Sequence, residues 1–138
     1  MKKALIVFGG WPGHEPEKCN EILCKFLNSE GYEVRSENST EAFAEDYVHE
    51  MDLIIPIVTM AFHHSPKGEI KKNEVNNLIK AVVNGCGLAG HHGGMCDAFR
   101  QSIDWQFLTG GQWVSHPNGI HHYNCLLYTS PSPRDETK

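Results

Sequence analysis

Unbroken apolar runs alternate along the chain with stretches in which apolar residues recur at helical spacing. Ala4 to Phe8 is a continuous run stopped by Gly9 and Gly10, the pattern of a strand covered on both faces. Pro16 suits a first helical turn, Ile22, Leu23, Phe26 and Leu27 form one stripe, and Gly31 supplies the stop. Tyr32 to Ser36 alternates as a shorter second strand, and Glu41 to Asp46 reads as a short helix or helical turn with Thr40 as its N-cap. Leu53 to Val58 predicts the third strand, although Pro56 deletes a ladder donor and argues for a bulge or a sheet edge. Beyond a polar loop over 59–70, Val75, Leu78, Ile79, Val82 and Val83 keep helical spacing as far as Gly85. A fourth strand is predicted from Cys86 to Gly90. This order, β-α-β-(α)-β-α-β, predicts an α/β fold with a doubly wound, mostly parallel sheet. Ligands of such sheets sit beyond the carboxyl ends of the strands, so the loops after strands one, three and four are expected to converge.

Composition narrows the partners. The chain has 138 residues, 40% hydrophobic and 21% charged, which suits one domain able to bury a core. A formal charge of −5 with Lys scattered among Glu leaves no basic stripe, so neither nucleic acid nor an anionic membrane surface is an expected partner. A small polar ligand is the expected one, and self-association into a homo-oligomer stays open. The opening MKKALIVFGGW has an apolar run of only about half a dozen residues, shorter than a secretory signal core, and no run approaches the roughly 20 residues that span a bilayer. The five cysteines, Cys19, Cys24, Cys86, Cys96 and Cys125, show neither CxxC spacing nor a dense even framework, and read as reduced thiols of a soluble cytoplasmic protein. Cys19, Cys24 and Cys86 sit where core packing is their expected role.

The text changes character at Cys125. CLLYTSPSPRD has no periodicity, and Cys125 to Asp135 reads as a translated transposase sequencing adapter. The expected domain is therefore 1–124, with 125–138 a non-native tail. Without the tail, Arg134 and Lys138 leave together with Asp135 and Glu136, and the balance stays at −5.

Each of the three converging loops carries histidine, and the chain has nine in all. His14 lies beside Glu15 in GGWPGHEP, His63 and His64 in MAFHHSPKG, and His91 and His92 in GHHGGMCDAFR; His116, His121 and His122 follow. A histidine on such a loop can hold a metal, shuttle a proton or bind a sugar hydroxyl. Gly90-His91-His92-Gly93-Gly94 has the small-x-x-x-small spacing of a sharp strand-to-helix turn, with His92 at its strained centre. A covalent acyl intermediate, as in glutamine amidotransferases or esterases, needs Cys or Ser at that point and is not expected with imidazole there. Cys96, four positions on, reads as a packed or semi-exposed thiol. GGWPG matches neither GxGxxG nor GxxxxGK[ST], so a nucleotide site is not indicated. Trp11, Trp105 and Trp113 lie in or beside these loops, where flat apolar rings suit sugar faces or pack as core and rim.

KALIVFGGWPGHEP, LIIPIVTM, GLAGHHGGMCDAFR and TGGQWVSHP resemble the trehalose-utilisation (ThuA-like) family across residues 1 to 124. The resemblance implies a flavodoxin-like, class I glutamine amidotransferase-like fold and a role in trehalose or other carbohydrate catabolism without glutamine amidotransferase activity. It also implies a site around His14, Glu15 and His92, with His14 and His92 able to hold a divalent metal such as Zn, and a rim of Gly93, Gly94, Trp105, Gln112 and His116. There are departures: close relatives often carry Gly-Trp-His-Gly-Gly where this chain has His91, and the loop from Ala61 to Gly68 is longer than usual. His63 and His64 therefore rest on loop placement alone. The family domain also continues past this point, so a C-terminally incomplete domain is expected. The functions in view are an enzyme acting on a carbohydrate or keto-sugar, a metal-dependent hydrolase of another small polar substrate, and a non-catalytic sugar-binding or regulatory domain.

Overall fold

The computed structural model describes residues 1–61, 72–124 and 126. Four strands form one all-parallel sheet in the order β2-β1-β3-β4: β1 (Lys2–Gly9), β2 (Tyr32–Glu37), β3 (Leu53–Val58) and β4 (Gly87–Leu88). The central pair explains the unbroken apolar runs. Along β1, Leu5 and Val7 enter one core while Ala4 and Ile6 enter the other; along β3, Ile54 and Val58 oppose Ile55 and Ile57 in the same way. A strand with both faces covered has no polar side to display.

The two faces are covered unequally. Helix α1 (Pro16–Ser29) packs Leu27 and the partly buried Leu23, Cys19 and Cys24 against Ala4, Ile6, Ile55 and Ile57. Ile22 and Phe26 belong to the neighbouring ridge of that helix and stay 67% and 57% exposed, so the predicted four-residue stripe is only half used. The opposite face is thicker. It holds Phe43 and Val48 from two 3-10 segments (Thr40–Ala44 and Asp46–Glu50), Val75, Leu78 and Ala81 from α2 (Lys72–Val83), and Phe99 and Trp105. Ala81 takes the inward position on α2, and Val83 is exposed.

Several boundaries differ from the sequence reading. The cap of the Thr40–Ala44 segment is Ser39, whose hydroxyl accepts from the Glu41 N–H, while Thr40 is buried. β3 has neither a bulge nor an edge position: it pairs with β1 through its full length and with β4 only at Leu53↔Gly87 and Ile54↔Leu88. The Ala89 N–H still donates to the Ile54 carbonyl at 3.1 Å, but the next rung needs an N–H at Pro56. Pro56 thus shortens β4 to Gly87–Leu88 instead of the predicted Cys86–Gly90. A short helix, α4 (Ile103–Thr109), was not anticipated; Ser102 caps it and Gly110 ends it in the left-handed region. The described cysteines Cys19, Cys24, Cys86 and Cys96 are free and partly buried, with burial pushing the Cys86 thiol up to about 11. No helix among the described residues is long and apolar enough to cross a membrane. His63, His64, Cys125 and 127–138 lie outside the described residues.

Candidate functional site

Beyond the carboxyl ends of β1, β3 and β4 the chain turns sharply three times. After β1, a 3-10 turn (Pro12–His14) ends at Glu15, whose φ of 47° is left-handed. Met60 follows β3 with φ 51°, and His92 opens α3 (His92–Cys96) with φ 48° after the extended His91. Left-handed backbone at residues other than glycine costs on the order of 1–3 kcal/mol each and persists where the surroundings enforce it. All three lie at one end of the sheet.

Close backbone approach holds these turns together. A Cβ on Gly94 would lie 2.7 Å from the Ile57 Cα and 2.9 Å from the Pro56 carbonyl oxygen, so α3 can rest on β3 only without a side chain there. At Gly93 the space is taken by the Thr59 methyl group and, at 3.4 Å, by His14 Cε1. The Thr59 hydroxyl accepts from the Trp11 N–H at 3.0 Å, and the N–H groups of Met60 and Ala61 donate to the carbonyls of Asp97 and Ala98 at 3.2 and 3.0 Å. The ends of β1, β3 and the elbow are thereby tied to one another.

The result is a chain of aromatic rings. Trp11 meets His14 edge-on at 4.9 Å between centroids, and His14 meets His92 at 4.9 Å with planes 86° apart. His14 and His92, together with Thr59 and Gly93, separate two cavities. One, of about 300 Å³, is lined also by Trp11, Met60, Asp97, Arg100, Trp113 and His116. The other, of about 200 Å³, is lined by Pro16, Cys19, Ile57, His91 and Gly94. Burial, then repulsion from the imidazoles of His92, His91 and His116, depresses the pKa of His14 below its ordinary 6.5, while Asp97 acts the other way. The surroundings thus favour the uncharged imidazole at His14.

On the far wall, Asp97 is almost fully buried and ion-paired with Arg100. The Arg100 guanidinium carbon lies over Trp113, 3.9 Å from the ring centroid, and Trp113 meets His116 edge-on at 5.3 Å. Trp113 and His116 follow α4 in a segment without regular secondary structure.

The family model for trehalose utilisation (ThuA) matches residues 3–134, nearly the whole chain. The chain belongs to the ThuA family. The matched span takes in Cys125 to Arg134, the part of the tail read above as adapter sequence. Comparison with curated proteins and with solved structures returned no match. The parallel four-stranded sheet with helices on both faces is the flavodoxin-like arrangement of this ThuA chain.

Of the residues named from sequence, His14, His92, Gly93, Trp11 and His116 line the larger cavity, and Gly94 lines the smaller one. Three fall elsewhere. Glu15 turns outward at its left-handed position and pairs with Lys18 on the surface. Trp105 is fully buried among Phe99 and its neighbours, where its Nε1–H donates to the Met95 carbonyl at 2.8 Å, so it supports α3 from beneath and cannot rim a pocket. Gln112 is exposed outside both linings, and its neighbour Trp113 takes the wall position. Sequence reasoning missed Thr59, Met60, Asp97 and Arg100. Thr59 and Met60 directly follow the third strand, so the strand-end rule pointed to them, and Asp97 and Arg100 lie within the Gly87–Arg100 run that carried the family resemblance.

The described residues do not complete a metal centre. No group of three His, Cys, Asp or Glu among them could hold an ion, and His14 and His92 face each other edge to face without a third donor. Metal sites of the zinc type use at least three protein ligands.

Proposed function

We propose that this ThuA-family chain is a carbohydrate-processing protein whose larger cavity takes a sugar or keto-sugar and whose His14–His92 pair moves a proton on it. The observation that carries this reading is the packing of the two imidazoles against each other at the strand ends, beside a cavity lined by two tryptophans. Its volume of about 300 Å³ lies at the small end of the roughly 300–1,000 Å³ typical of small-ligand sites. Trp11 and Trp113 offer flat faces to a sugar ring. His92, held by the strained elbow, is positioned to donate a proton or to hydrogen-bond the oxygen that gains charge.

The residues present favour some chemistries over others. Two-carboxylate glycosidic hydrolysis requires a pair of acids. Among the described residues, the lining of the larger cavity carries one, Asp97, already engaged by Arg100. Acyl transfer requires a nucleophile at the elbow, where this chain has His92. Proton abstraction beside the carbonyl of a keto-sugar needs only a base and a donor, which the two histidines supply.

The test is deuterium wash-in. Trehalose and its keto derivatives, incubated with the chain in D2O and followed by proton NMR, should exchange C–H protons beside the carbonyl of the keto-sugar. His14→Gln and His92→Ala should each slow this by about 10²- to 10⁴-fold. Sugar binding without exchange above the His92→Ala background would make the chain a binding domain, and absence of any binding would remove the carbohydrate reading.

A further inference from the structure

The larger cavity has two walls of different origin, and only one belongs to the sheet. Among the described residues, no backbone hydrogen bond joins 112–124 to the sheet or the helices. The segment leaves α4 through Gly110, with Thr109 Oγ1 donating to the Gly111 carbonyl at 3.2 Å. Its next attachment is a side-chain one: Trp113, half-buried, stacked on Arg100.

Arg100 is itself well held. Its guanidinium pairs with Asp97, whose N–H donates to the Gly93 carbonyl at 2.9 Å and whose own carbonyl accepts from Met60. Gln106 Nε2–H donates to the Arg100 carbonyl at 2.7 Å. A planar cation fixed in this way offers one face to an indole, and such contacts are worth about 0.5–2 kcal/mol depending on burial. A contact of that size can be made and broken on ligand entry.

We infer that Arg100 is a positioning residue that latches Trp113, and with it His116, as a movable wall closing the cavity over a ring-shaped ligand. The ligand half rests on the carbohydrate reading above; the latch half stands on the geometry of Arg100, Trp113 and His116. In the closed position Trp11 and Trp113 both border the cavity, so the apolar face of a sugar ring can rest on an indole. When the wall opens, His14 and His92 stay where the strand ends put them.

The three tryptophans make the latch directly observable. With 5-fluorotryptophan in the full chain, fluorine NMR gives separate signals for Trp11, Trp105 and Trp113. Arg100→Met should move and sharpen the Trp113 signal towards that of a free indole and leave Trp105, fully buried in the core, unchanged as the control for folding. Arg100→Lys, which keeps the charge but not the flat face, should fall between. A Trp113 signal identical in wild type and Arg100→Met overturns the latch. If Arg100→Met also disturbs Trp105, Trp113→Leu with Arg100 intact decides: the His116 ring resonances should shift once the indole is removed, and unchanged His116 resonances overturn the coupling. Titration with trehalose and its keto derivatives reads the ligand half, with affinity expected to fall about two- to thirty-fold in Arg100→Met and Trp113→Leu alike. A wild type with an Arg100-dependent Trp113 signal but no sugar binding overturns the ligand reading and retains the latch. Tight sugar binding indifferent to both substitutions overturns the positioning role.

Discussion

The two walls of the cavity are built by opposite means. The Trp11–His14–His92 wall grows from strand ends: Thr59 accepts from Trp11, Gly94 lets α3 lie on β3, and Trp105 supports Met95 from beneath. The Trp113–His116 wall comes from a segment without regular structure, with Trp113 stacked on the Arg100 guanidinium. The first wall is fixed by the same packing that folds the domain, while the second is held, on the latch proposed above, by the stacking of Trp113 on Arg100. Catalytic groups belong on the first kind of wall, where misplacement is resisted, and ligand-gripping groups on the second, where entry requires movement.

Substitutions that break this contrast should show it in stability. Trp105→Ala removes a fully buried indole together with its hydrogen bond to Met95, and should cost about 3–5 kcal/mol in a urea or thermal unfolding experiment. Gly94→Ala drives a methyl group into the Ile57 and Pro56 backbone, and about 1–3 kcal/mol of destabilisation is expected. The same substitution should push the His14 and His92 rings apart, which the chemical shifts of their imidazole protons would register. Thr59→Val keeps the shape but deletes the acceptor of the Trp11 N–H, costing about 1 kcal/mol and speeding hydrogen exchange at Trp11. On the other wall, Trp113→Leu should alter unfolding by less than about 1 kcal/mol while weakening sugar binding. A cost there equal to that of Trp105→Ala would erase the distinction between the walls.

The smallest effect is one of pH. The folded pKa of His14 is depressed below 6.5, so in the window just beneath 6.5 the unfolded chain binds this proton more readily than the folded one. Stability is therefore level above that window, falls as the pH drops through it towards the depressed folded value, and levels off below. His14→Gln should remove this part of the slope in a series of melting temperatures against pH. Since the shift arises chiefly from burial and imidazole neighbours of the first wall, the slope should survive Trp113→Leu if that wall is independent of the second.

What could be read before the fold was known follows from the range of the forces involved. Unbroken runs revealed β1 and β3 because a strand covered on both faces has no polar alternation to lose. The elbow at His92 was legible because its glycines are a local requirement. Pro56 was read correctly as a missing donor, but the consequence fell on β4, since which neighbour needs that N–H depends on strand order. Trp105 and Trp113 look alike in the text, and local pattern gives no sign that one becomes core and the other wall. Glu15 and His14 are adjacent, yet one left-handed residue sends their side chains to different surroundings.

The sequence by itself determined the family, the parallel α/β sheet and the placing of His14 and His92 just beyond strand ends, because apolar periodicity and glycine spacing act over a few residues. Only the tertiary structure decided that these two rings touch, that Thr59, Asp97 and Arg100 join them, and that Trp105 does not. Those outcomes depend on which strands lie side by side and how closely their backbones approach, and that is set by packing the whole sheet.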